Sequence, residues 1–347
     1  MSKNIAVEEK KTSNLKHTVD STFIEVANLK KHYDVSDGIF KKSDKKVRAV
    51  DNISFTINKG EILGLAGESG SGKSTTGEIL LRLQDPTDGS IVINDQDITT
   101  LNRREMKAFR KDIQMIFQDP YETLNPRYNI YKTIAEPLII QGMKNKDDIR
   151  QRVIEALETA ELRPAEEYLY RYPHELSGGQ RQRIAIARGI VTEPKFVVAD
   201  EPVSMLDVSI RAGILNLLKR LREDKGMTML YISHDLSTIK YLCDRIAIMY
   251  LGKIVEIGSV DEVINNPQHP YTKTLLSAVP VADPDVVRER MDVDDEVPDQ
   301  INLPEGCRFS PRCPFATEAC NSCDHTLRKL GDDQYSACIF DGEELFK

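Results

Sequence analysis

Short apolar runs without polar interruption stand out along the chain. Ile62–Ala66 and Phe196–Ala199 are two such runs, and Met229–Ile232 is a third. Runs this short, with no alternation of apolar and polar positions, are typical of strands that are buried on both faces of a parallel sheet. They therefore predict a parallel sheet at the centre of the protein.

A helix is predicted between the second and third runs. Asp207 is a residue type that favours the N-terminal cap of a helix, and apolar residues follow it at helical spacing. These residues are Ile210, Ile214, Leu217, Leu218 and Leu221. A helix that connects two buried strands is a βαβ unit, so the pattern predicts the α/β fold class.

Two further regions have patterns of their own. The β-rich runs Phe23–Val26 and Ile53–Ile57 predict a small antiparallel β layer ahead of the central sheet. Helical and loop patterns without a strong strand signal cover residues from about 121 to 171. We therefore expect a helical subdomain, at about 119–190, inserted into the sheet domain.

The same patterns divide the chain. Residues 1–21 are polar and lack apolar periodicity, which predicts a flexible arm. Residues 22–280 carry the strand and helix patterns and form the main predicted domain. Residues 281–347 are predicted to begin as an acidic, proline-containing linker and to continue into a small cysteine-rich tail.

Composition and charge narrow the classes of function. Of the 347 residues, 29% are charged and 40% are hydrophobic, as in ordinary globular proteins. The 47 Lys and Arg residues against 55 Asp and Glu residues leave a formal net charge of −8, which argues against a nucleic-acid partner. No apolar stretch approaches the roughly 20 residues that span a bilayer, and the first residues do not resemble a signal peptide, so we expect a soluble cytoplasmic protein.

A glycine-rich motif of the form G-x-x-x-x-G-K-S/T follows the first apolar run. It consists of Gly67, Glu68, Ser69, Gly70, Ser71, Gly72, Lys73 and Ser74, and Thr75 comes next. In such a loop the backbone N–H groups point at phosphate oxygens, the lysine reaches the β- and γ-phosphates, and the serine hydroxyl coordinates Mg²⁺. A strand before the motif and a helix after it favour a nucleotide site over a turn that only caps a helix.

Two acids, Asp200 and Glu201, end the second apolar run. The carboxyl end of a parallel strand faces the ligand crevice of an α/β fold. We expect Asp200 to hold Mg²⁺, usually through water, and Glu201 to act as general base on the attacking water. The alternative, a solvated acidic turn, would be favoured for an isolated pair, but the glycine-rich motif reverses that preference.

A second candidate for an anion-binding helix N-terminus stands 20 residues before Asp200 in the chain. Leu176, Ser177, Gly178, Gly179 and Gln180 precede a predicted helix at Arg181–Val191. These five residues resemble the signature motif of ABC-transporter ATPases. The resemblance implies that the signature of one subunit covers the γ-phosphate bound by its partner, with two ATP molecules between two head-to-tail subunits. A serine-capped helix without a ligand is the alternative.

Three more positions match the same family in chain order. By resemblance, Tyr33 stacks on adenine, Gln118 senses Mg²⁺ and the attacking water, and His234 contacts the γ-phosphate from the end of a strand. Their alternatives are a half-buried strand tyrosine, a polar turn residue before proline, and a structural histidine. Pro202–Asp207 resembles the loop that communicates between the two subunits, and Met205 stands there where relatives usually carry alanine.

The flanking segments indicate a subfamily. Asn266–Thr272, with its His-Pro-Tyr sequence, and Gln118–Arg127 are similar to the ATPases of oligopeptide, dipeptide and nickel importers, in particular to the second of their two ATPase subunits. The resemblance implies an ABC-type P-loop ATPase with a mixed β core, an antiparallel β layer, a helical subdomain and a cysteine-rich extension. It also implies two transmembrane permease subunits, a related second ATPase subunit, a solute-binding protein, and a place on the cytoplasmic face of the cell membrane.

Five cysteines cluster near the C-terminus. Cys307, Cys313, Cys320 and Cys338 follow the spacing C-x5-C-x6-C-x17-C, and Cys323 is the fifth. Four thiolates suit an iron–sulfur cluster or a tetrahedral Zn²⁺, and unligated thiols are the alternative because the spacing fits no standard template. Resemblance to the peptide-importer tail implies a [4Fe–4S] cluster on the first four.

Other functions compete with peptide import. One is a soluble ABC-type ATPase that acts on ribosomes or nucleic acid, although such relatives usually carry two cassettes or a long coiled-coil insertion. A regulator that never hydrolyses ATP would be expected to lack Glu201 or His234, and both are present. An exporter is disfavoured by the importer-like tail, and import of nickel or another small solute stays open.

Overall fold

The computed structural model describes most of the chain. The described residues are 22–36, 42–278, 300–301, 303–331, 333–340 and 342–345. The predicted arm at 1–21 and most of the predicted linker, residues 281–299, lie outside them. The glycine-rich motif, the signature-like residues and all six cysteines are among the described residues.

The strands form two sheets. They are β1 (Thr22–Ser36), β2 (Lys42–Asn58), β3 (Ile62–Ala66), β4 (Asp88–Ile93), β5 (Gln96–Asp97), β6 (Ile113–Ile116), β7 (Phe196–Asp200), β8 (Thr228–Ile232), β9 (Arg245–Tyr250), β10 (Lys253–Ser259), β11 (Arg328–Lys329) and β12 (Tyr335–Ser336). The smaller sheet has the order β2-β1-β4-β5 and is antiparallel. The larger has the order β11-β12-β10-β9-β3-β8-β7-β6, in which β9, β3, β8, β7 and β6 run parallel.

Helices surround the larger sheet and form one separate layer. They are α1 (Lys73–Leu80), α2 (Arg103–Phe109), α3 (Pro120–Thr123), α4 (Ile130–Ile140), α5 (Lys146–Thr159), α6 (Gly178–Ile190), α7 (Val208–Lys225), α8 (Leu236–Leu242), α9 (Val260–Asn265), α10 (Pro270–Ser277) and α11 (Gly342–Leu345). Short 3₁₀ turns lie at Ala165–Glu167, Pro173–Glu175, Ser310–Arg312 and Glu318–Asn321.

The three apolar runs occupy the centre of the larger sheet. β3 has the predicted bounds, and β7 and β8 are each one residue longer than predicted. Every residue of these strands is buried. In β7, Val197 and Ala199 join one hydrophobic cluster, whereas Phe196 and Val198 join a second on the opposite face. The runs lack polar alternation because apolar residues cover both faces of the sheet.

The two β-rich runs belong to strands much longer than the runs themselves. β1 has 15 residues and β2 has 17, and they pair antiparallel. Only part of each strand faces the second hydrophobic cluster, to which Ile24, Val26, Ile53 and Ile57 contribute. The apolar pattern marked that part and missed the rest, because most residues of the remaining ladder are polar and half-buried or exposed.

The region from 119 to 190 contains α3, α4, α5 and α6. α4, α5 and α6 pack on one another through buried residues that include Ile134, Val153 and Ile184. α6 begins at Gly178, three residues before the predicted Arg181, so both signature glycines lie in its first turn. A helical layer beside the sheet is thus what the structure shows for these residues.

The C-terminal residues join the larger sheet. β12 pairs with β10, with Ser336 opposite Glu256 and Tyr335 opposite Ile257. The two predicted domains, 22–280 and 281–347, both contribute strands to this sheet. Their division stays a prediction. None of the helices in the described part of the chain is long and apolar enough to cross a membrane.

Candidate active site

Parallel strands bring the predicted site residues to one edge of the larger sheet. The glycine-rich motif follows β3, Gln118 follows β6, Asp200 and Glu201 end β7, and His234 follows β8. The carboxyl ends of neighbouring parallel strands meet at the same edge, where α/β folds bind their ligands. Motifs that lie more than 150 residues apart in the chain therefore converge by topology.

A cavity of about 750 Å³ opens at this edge and is called the nucleotide cavity here. Its lining includes most of the predicted nucleotide-binding residues, namely Tyr33, Ser69, Gly70, Gly72, Lys73, Ser74, Thr75, Gln118, Glu201 and His234. Four more of the predicted residues do not line the cavity but contact Lys73 or Ser74, which do: Gly67, Glu68, Ser71 and Asp200. This size is within the range of small-molecule sites, which measure about 300–1,000 Å³.

Two glycines give the phosphate loop, residues 67–74, its curvature. Gly67 and Gly72 have φ of 152° and 105°. A Cβ atom at Gly67 would lie 2.1 Å from the Met249 carbonyl oxygen, and one at Gly72 would lie 2.1 Å from that of Ala49. No side chain caps the N-terminus of α1, so its first N–H groups stay available to a phosphate.

Lys73 lies inside the loop. Its side chain is largely buried, and its Nζ donates to the Gly67 and Glu68 carbonyl oxygens, both at 2.8 Å. Burial lowers the pKa of Lys73, whereas the carboxylates of Glu201, Asp200 and Glu68 oppose that shift. The ammonium group is therefore held at the phosphate loop by carbonyls and nearby negative charge.

Ser74 and Asp200 meet below the cavity. The Ser74 hydroxyl donates to Asp200 Oδ1 at 3.3 Å. Burial raises the pKa of Asp200, and the hydrogen bond from Ser74 works against that rise. A hydroxyl and a carboxylate side by side are oxygen donors of the kind that Mg²⁺ prefers, so this pair fits the predicted metal.

Glu201 is the centre of a hydrogen-bonded group. Gln118 Nε2 donates to Glu201 Oε2 at 3.1 Å, and His234 Nδ1 lies 3.0 Å from Glu201 Oε1. The Glu201 backbone has φ of 44°, a left-handed conformation that L residues rarely adopt and that is common at functional sites. Three residues predicted separately to act in hydrolysis are thus in direct contact.

Tyr33 lines the cavity from β1. Its ring is 36% exposed, and its hydroxyl donates to Gln84 Oε1 at 2.6 Å. The hydrogen bond holds the edge of the ring, and Lys31 Nζ lies over the ring, 5.2 Å from its centre. This arrangement leaves an aromatic surface at the rim, as stacking on a base requires.

The signature-like residues lie away from the nucleotide cavity of their own chain. Ser177 caps α6, with its hydroxyl accepting from the Gln180 N–H and the Gln180 side chain accepting from the Ser177 N–H. A Cβ at Gly179 would lie 2.6 Å from Ile210 Cγ2, which explains that glycine by close packing of α6 on α7. Gly178 has no such neighbour, and Met205 nearby is 63% exposed.

Sequence analysis missed several residues that contact the phosphate loop. Gln300 lines the cavity and donates from Nε2 to the Gly70 carbonyl oxygen at 2.9 Å. The Tyr271 hydroxyl accepts from the Glu68 N–H, and Arg312 pairs with the Glu68 carboxylate. The only sequence signal was the His-Pro-Tyr segment, because these contacts join residues more than 200 positions apart.

The five C-terminal cysteines surround a second, much smaller cavity of about 20 Å³, the cysteine cavity. Burial raises the pKa of Cys307 to about 12 and that of Cys313 to about 11, so these thiols are protonated at neutral pH. Among the described residues, no three His, Cys, Asp or Glu side chains are arranged to hold a metal ion. The thiols thus share a cavity, but their arrangement does not support the predicted iron–sulfur cluster or its Zn²⁺ alternative.

Comparison with known proteins gives two family matches. Residues 50–204 match the ABC transporter family, and residues 255–320 match the family described as the oligopeptide/dipeptide transporter C-terminal region. The oligopeptide transport ATP-binding protein AppF of Bacillus subtilis is 43% identical over 320 residues, which cover 91% of this chain and 97% of AppF. The chain belongs to the ABC transporter ATPases, in their oligopeptide/dipeptide branch.

Two further relatives match this ABC ATPase over nearly its whole length. The dipeptide transport ATP-binding protein DppF of Haemophilus influenzae is 44% identical over 321 residues, or 92% of this chain and 97% of DppF. A Brucella ovis protein, provisionally named a peptide import ATP-binding protein, is 47% identical over 322 residues, or 93% of this chain and 99% of that protein.

Solved structures show the same cassette fold. The ATP-binding cassette MJ0796, in a dimeric post-hydrolysis state bound to ADP and phosphate, superposes with a TM-score of 0.61 at 31% identity. The match covers 68% of this chain and 98% of that one. The predicted ABC ATPase fold and enzyme class are therefore confirmed: the chain is an ATPase that binds ATP with Mg²⁺.

Proposed function

We propose that this ATPase energises the import of oligopeptides or dipeptides as a peripheral subunit on the cytoplasmic face of a cell membrane. The match to peptide-transport subunits along 97–99% of their length, C-terminal region included, carries the proposal. The hydrogen-bonded group around Glu201 supplies the chemistry that such a subunit needs. Peptide transport also agrees with the net charge of −8, which argues against a nucleic-acid partner.

The site residues have distinct roles in this proposal. The N–H groups of the phosphate loop and Lys73 bind the phosphates, and Tyr33 supports the base. Ser74, Asp200 and Gln118 would hold Mg²⁺, which when bound neutralises phosphate charge. In hydrolysis a water oxygen attacks the γ-phosphorus, the bond from that phosphorus to the β–γ bridging oxygen breaks, and a water proton passes to Glu201. His234 orients the Glu201 carboxylate.

A second ATPase subunit completes the site in this proposal. Ser177, Gly178, Gly179 and Gln180 are outside the nucleotide cavity of their own chain, and the open space at Gly178 suits close approach by a ligand. The N-terminus of α6 would then contact the γ-phosphate that a partner subunit holds. The similar cassette MJ0796 is dimeric in its solved structure.

Two permease subunits and a solute-binding protein are the remaining partners that we propose. Phe117 and Tyr121, which flank Gln118, are 40% and 60% exposed. Ile139 and Ile140 at the end of α4 are also exposed. Large apolar side chains at the surface are typical of protein contacts, and here they adjoin the glutamine that contacts Glu201. Movement at the nucleotide would thereby reach the membrane subunits.

An uptake experiment tests the transport function. The chromosomal gene is changed to encode Glu201→Gln, with Glu223→Gln, an exposed carboxylate on α7, as the matched control. We expect uptake of labelled di- and pentapeptides to be lost in the first strain and kept in the second. Loss of nickel uptake with normal peptide uptake would overturn the proposed peptide cargo. Unchanged uptake of all solutes would overturn the proposed transport function.

We also propose that Cys307, Cys313, Cys320 and Cys338 hold a [4Fe–4S] cluster, with Cys323 spare. Four thiolates are the usual ligands of such a cluster, and all five thiols line one cavity. Among the described residues no three of them are arranged as metal ligands, so the proposal requires the thiols to move closer together on loading. Because thiols bind metal as thiolates, loading would release protons from Cys307 and Cys313. Iron and acid-labile sulfide are measured in protein purified without oxygen: about four of each are expected, unchanged in Cys323→Ser and lost in Cys320→Ser. One zinc per chain, or no metal, would overturn the cluster.

A further inference from the structure

The back of the phosphate loop is held by residues from the C-terminal part of the chain. Arg312 Nη1 and Nη2 donate to the two carboxylate oxygens of Glu68, at 2.9 and 3.3 Å, across 244 positions of sequence. The Tyr271 hydroxyl, from α10, accepts from the Glu68 N–H at 2.9 Å. Both the backbone and the side chain of Glu68 are therefore bound to residues outside the loop.

Arg312 itself has little freedom. Its side chain is only 6% exposed. Its guanidinium also donates to the Tyr250 hydroxyl at 3.3 Å and lies 5.8 Å from the ring centres of Tyr250 and Phe309. A planar guanidinium that is packed against rings and paired through two donors loses little entropy on binding, so it fixes Glu68 in one position.

The same C-terminal region reaches two more points of the loop. Gln300 binds the Gly70 carbonyl oxygen. Arg308 donates to the Leu251 carbonyl oxygen and pairs with Asp51. Gly252, which follows Leu251 in the chain, donates its N–H to the Ser71 carbonyl oxygen at 2.8 Å. Residues 68, 70 and 71 are thus held from outside, and the contacts at Gly70 and Ser71 use their carbonyl oxygens rather than their N–H groups.

A phosphate loop binds through its backbone, so its affinity depends on how well that backbone is organised before ATP arrives. A loop with three glycines is otherwise free to adopt many conformations, and ordering it on binding would weaken affinity. The contacts at Glu68 remove that freedom at the start of the loop. They also supply the Glu68 N–H with a partner, which leaves the later N–H groups as the phosphate donors.

We infer that Tyr271 and Arg312 are positioning residues for ATP: they hold the phosphate loop in its nucleotide-binding conformation by fixing Glu68. Their loss weakens ATP binding and raises KM for ATP, while kcat at saturating ATP changes little. The inference rests on the proposed role of residues 67–74 as the phosphate-binding loop.

The test uses the full chain with Tyr271→Phe and Arg312→Gln, and measures the Kd for ATP, KM, kcat and the melting temperature without nucleotide. Loss of one neutral hydrogen bond predicts a rise of about 2- to 10-fold in Kd for Tyr271→Phe, and loss of a charged, two-donor pair predicts about 10-fold or more for Arg312→Gln. The control is Tyr241→Phe, because the exposed Tyr241 has its hydroxyl bonded to Asn216, away from the loop.

Three outcomes decide the inference. A rise in Kd and KM, with kcat kept and the control unchanged, supports it. Unchanged Kd in Tyr271→Phe, whose ring still fills its place, overturns it even if Arg312→Gln fails to fold. A lower melting temperature with normal Kd assigns both residues to stability alone and also overturns it.

A double-mutant cycle adds a second readout. If Arg312 acts through Glu68, the Kd effect of Arg312→Gln shrinks in a Glu68→Gln background. Independent effects of the two changes contradict the inference. Lys73→Ala distinguishes failure of this inference from failure of the phosphate-loop assignment. If that change leaves ATP affinity intact, the assignment of the loop itself fails, whatever the result at Tyr271.

Discussion

The nucleotide cavity and the cysteine cavity are built in different ways. The nucleotide cavity is lined by loops that follow parallel strands, and its central residues, such as Gln118, Glu201 and His234, are in direct contact. The cysteine cavity is formed mainly by side chains of residues 307–340, which have little regular structure, together with His269 and Pro270 at the start of α10. No three of its described groups are arranged as metal ligands.

The difference shows what makes a site predictable. Strand direction places the nucleotide residues, and glycines with positive φ shape the loop, so a local sequence pattern implies the local geometry. Cysteines carry no such backbone information. Their spacing allows several arrangements, and packing between distant parts of the chain decides which one occurs. Substitutions in the first cavity are expected to change chemistry, whereas substitution of His269 at the second is expected to change stability.

Glu201→Gln is expected to have the largest effect. The amide keeps the size of the side chain but cannot accept a proton, so kcat falls about 10²- to 10⁴-fold while the Kd for ATP changes little. ATPase rates and ATP titrations measure both, and light scattering is expected to show ATP-bound dimers accumulating. Normal turnover would remove Glu201 from its role; Glu223→Gln serves as control.

Lys73→Ala is expected to act on binding. The change removes a charge–phosphate interaction and leaves the Gly67 and Glu68 carbonyl oxygens without their donor. A charged hydrogen bond contributes about 1.5–3 kcal/mol, so the Kd for ATP rises about 10- to 100-fold. Calorimetric titration checks this, with the exposed Lys195→Ala as control. Unchanged affinity would contradict the assignment of the phosphate loop.

His269→Asn tests whether a buried histidine at the cysteine cavity makes the stability of the fold depend on pH. Burial lowers the pKa of His269 to about 3, whereas an unfolded histidine titrates near 6.5. Between these values the unfolded chain binds a proton that the folded chain does not, so His269 lowers stability as pH falls, by about 2 kcal/mol at pH 5. Its Nδ1 accepts from the Tyr271 N–H at the N-terminus of α10, and Asn can replace that acceptor.

Urea unfolding at pH 7 and pH 5 measures this difference. The neighbouring Glu256, whose pKa is raised by burial, is present in both proteins and cancels in the comparison. We expect His269→Asn to lose less stability than the parent chain between the two pH values. An equal loss in both proteins would show that His269 does not titrate across unfolding.

Tyr33 is expected to give the smallest effect. Stacking is worth about 0.5–1.5 kcal/mol beyond area burial, so Tyr33→Ala raises the Kd for ATP about 2- to 10-fold. Tyr33→Phe keeps the ring, loses only the hydrogen bond to Gln84, and is expected to stay close to the parent value. Equal affinities of the alanine and phenylalanine variants would argue against stacking.

Sequence analysis was strongest where one residue pattern has one physical meaning. The uninterrupted runs predicted buried strands because both faces of the sheet are covered, and β3 has the predicted bounds. It was weaker at β1 and β2, where polar residues pair in a long ladder without an apolar signal. The start of α6 was placed three residues late because glycines are poor predictors of a first helical turn.

The contacts of the C-terminal part lay beyond sequence analysis for a similar reason. Arg312 and Glu68 are ordinary charged residues in their own segments, and no local pattern pairs them. Their partnership depends on the pairing of β12 with β10 and on the position of α10, which bring the tail behind the phosphate loop. A charge becomes a positioning group only when packing removes it from water and gives it one partner.

The sequence by itself determined the class of chemistry, because glycine spacing, a buried strand ending in acids, and a capped helix restrict the backbone wherever they occur. It also determined which residues were candidates for phosphate, Mg²⁺ and water. Only the tertiary structure decided that Gln118 and His234 both contact Glu201, that the signature residues lie outside their own cavity, and that Tyr271 and Arg312 hold Glu68. Such contacts between distant segments follow from strand order and burial, which a local pattern does not contain.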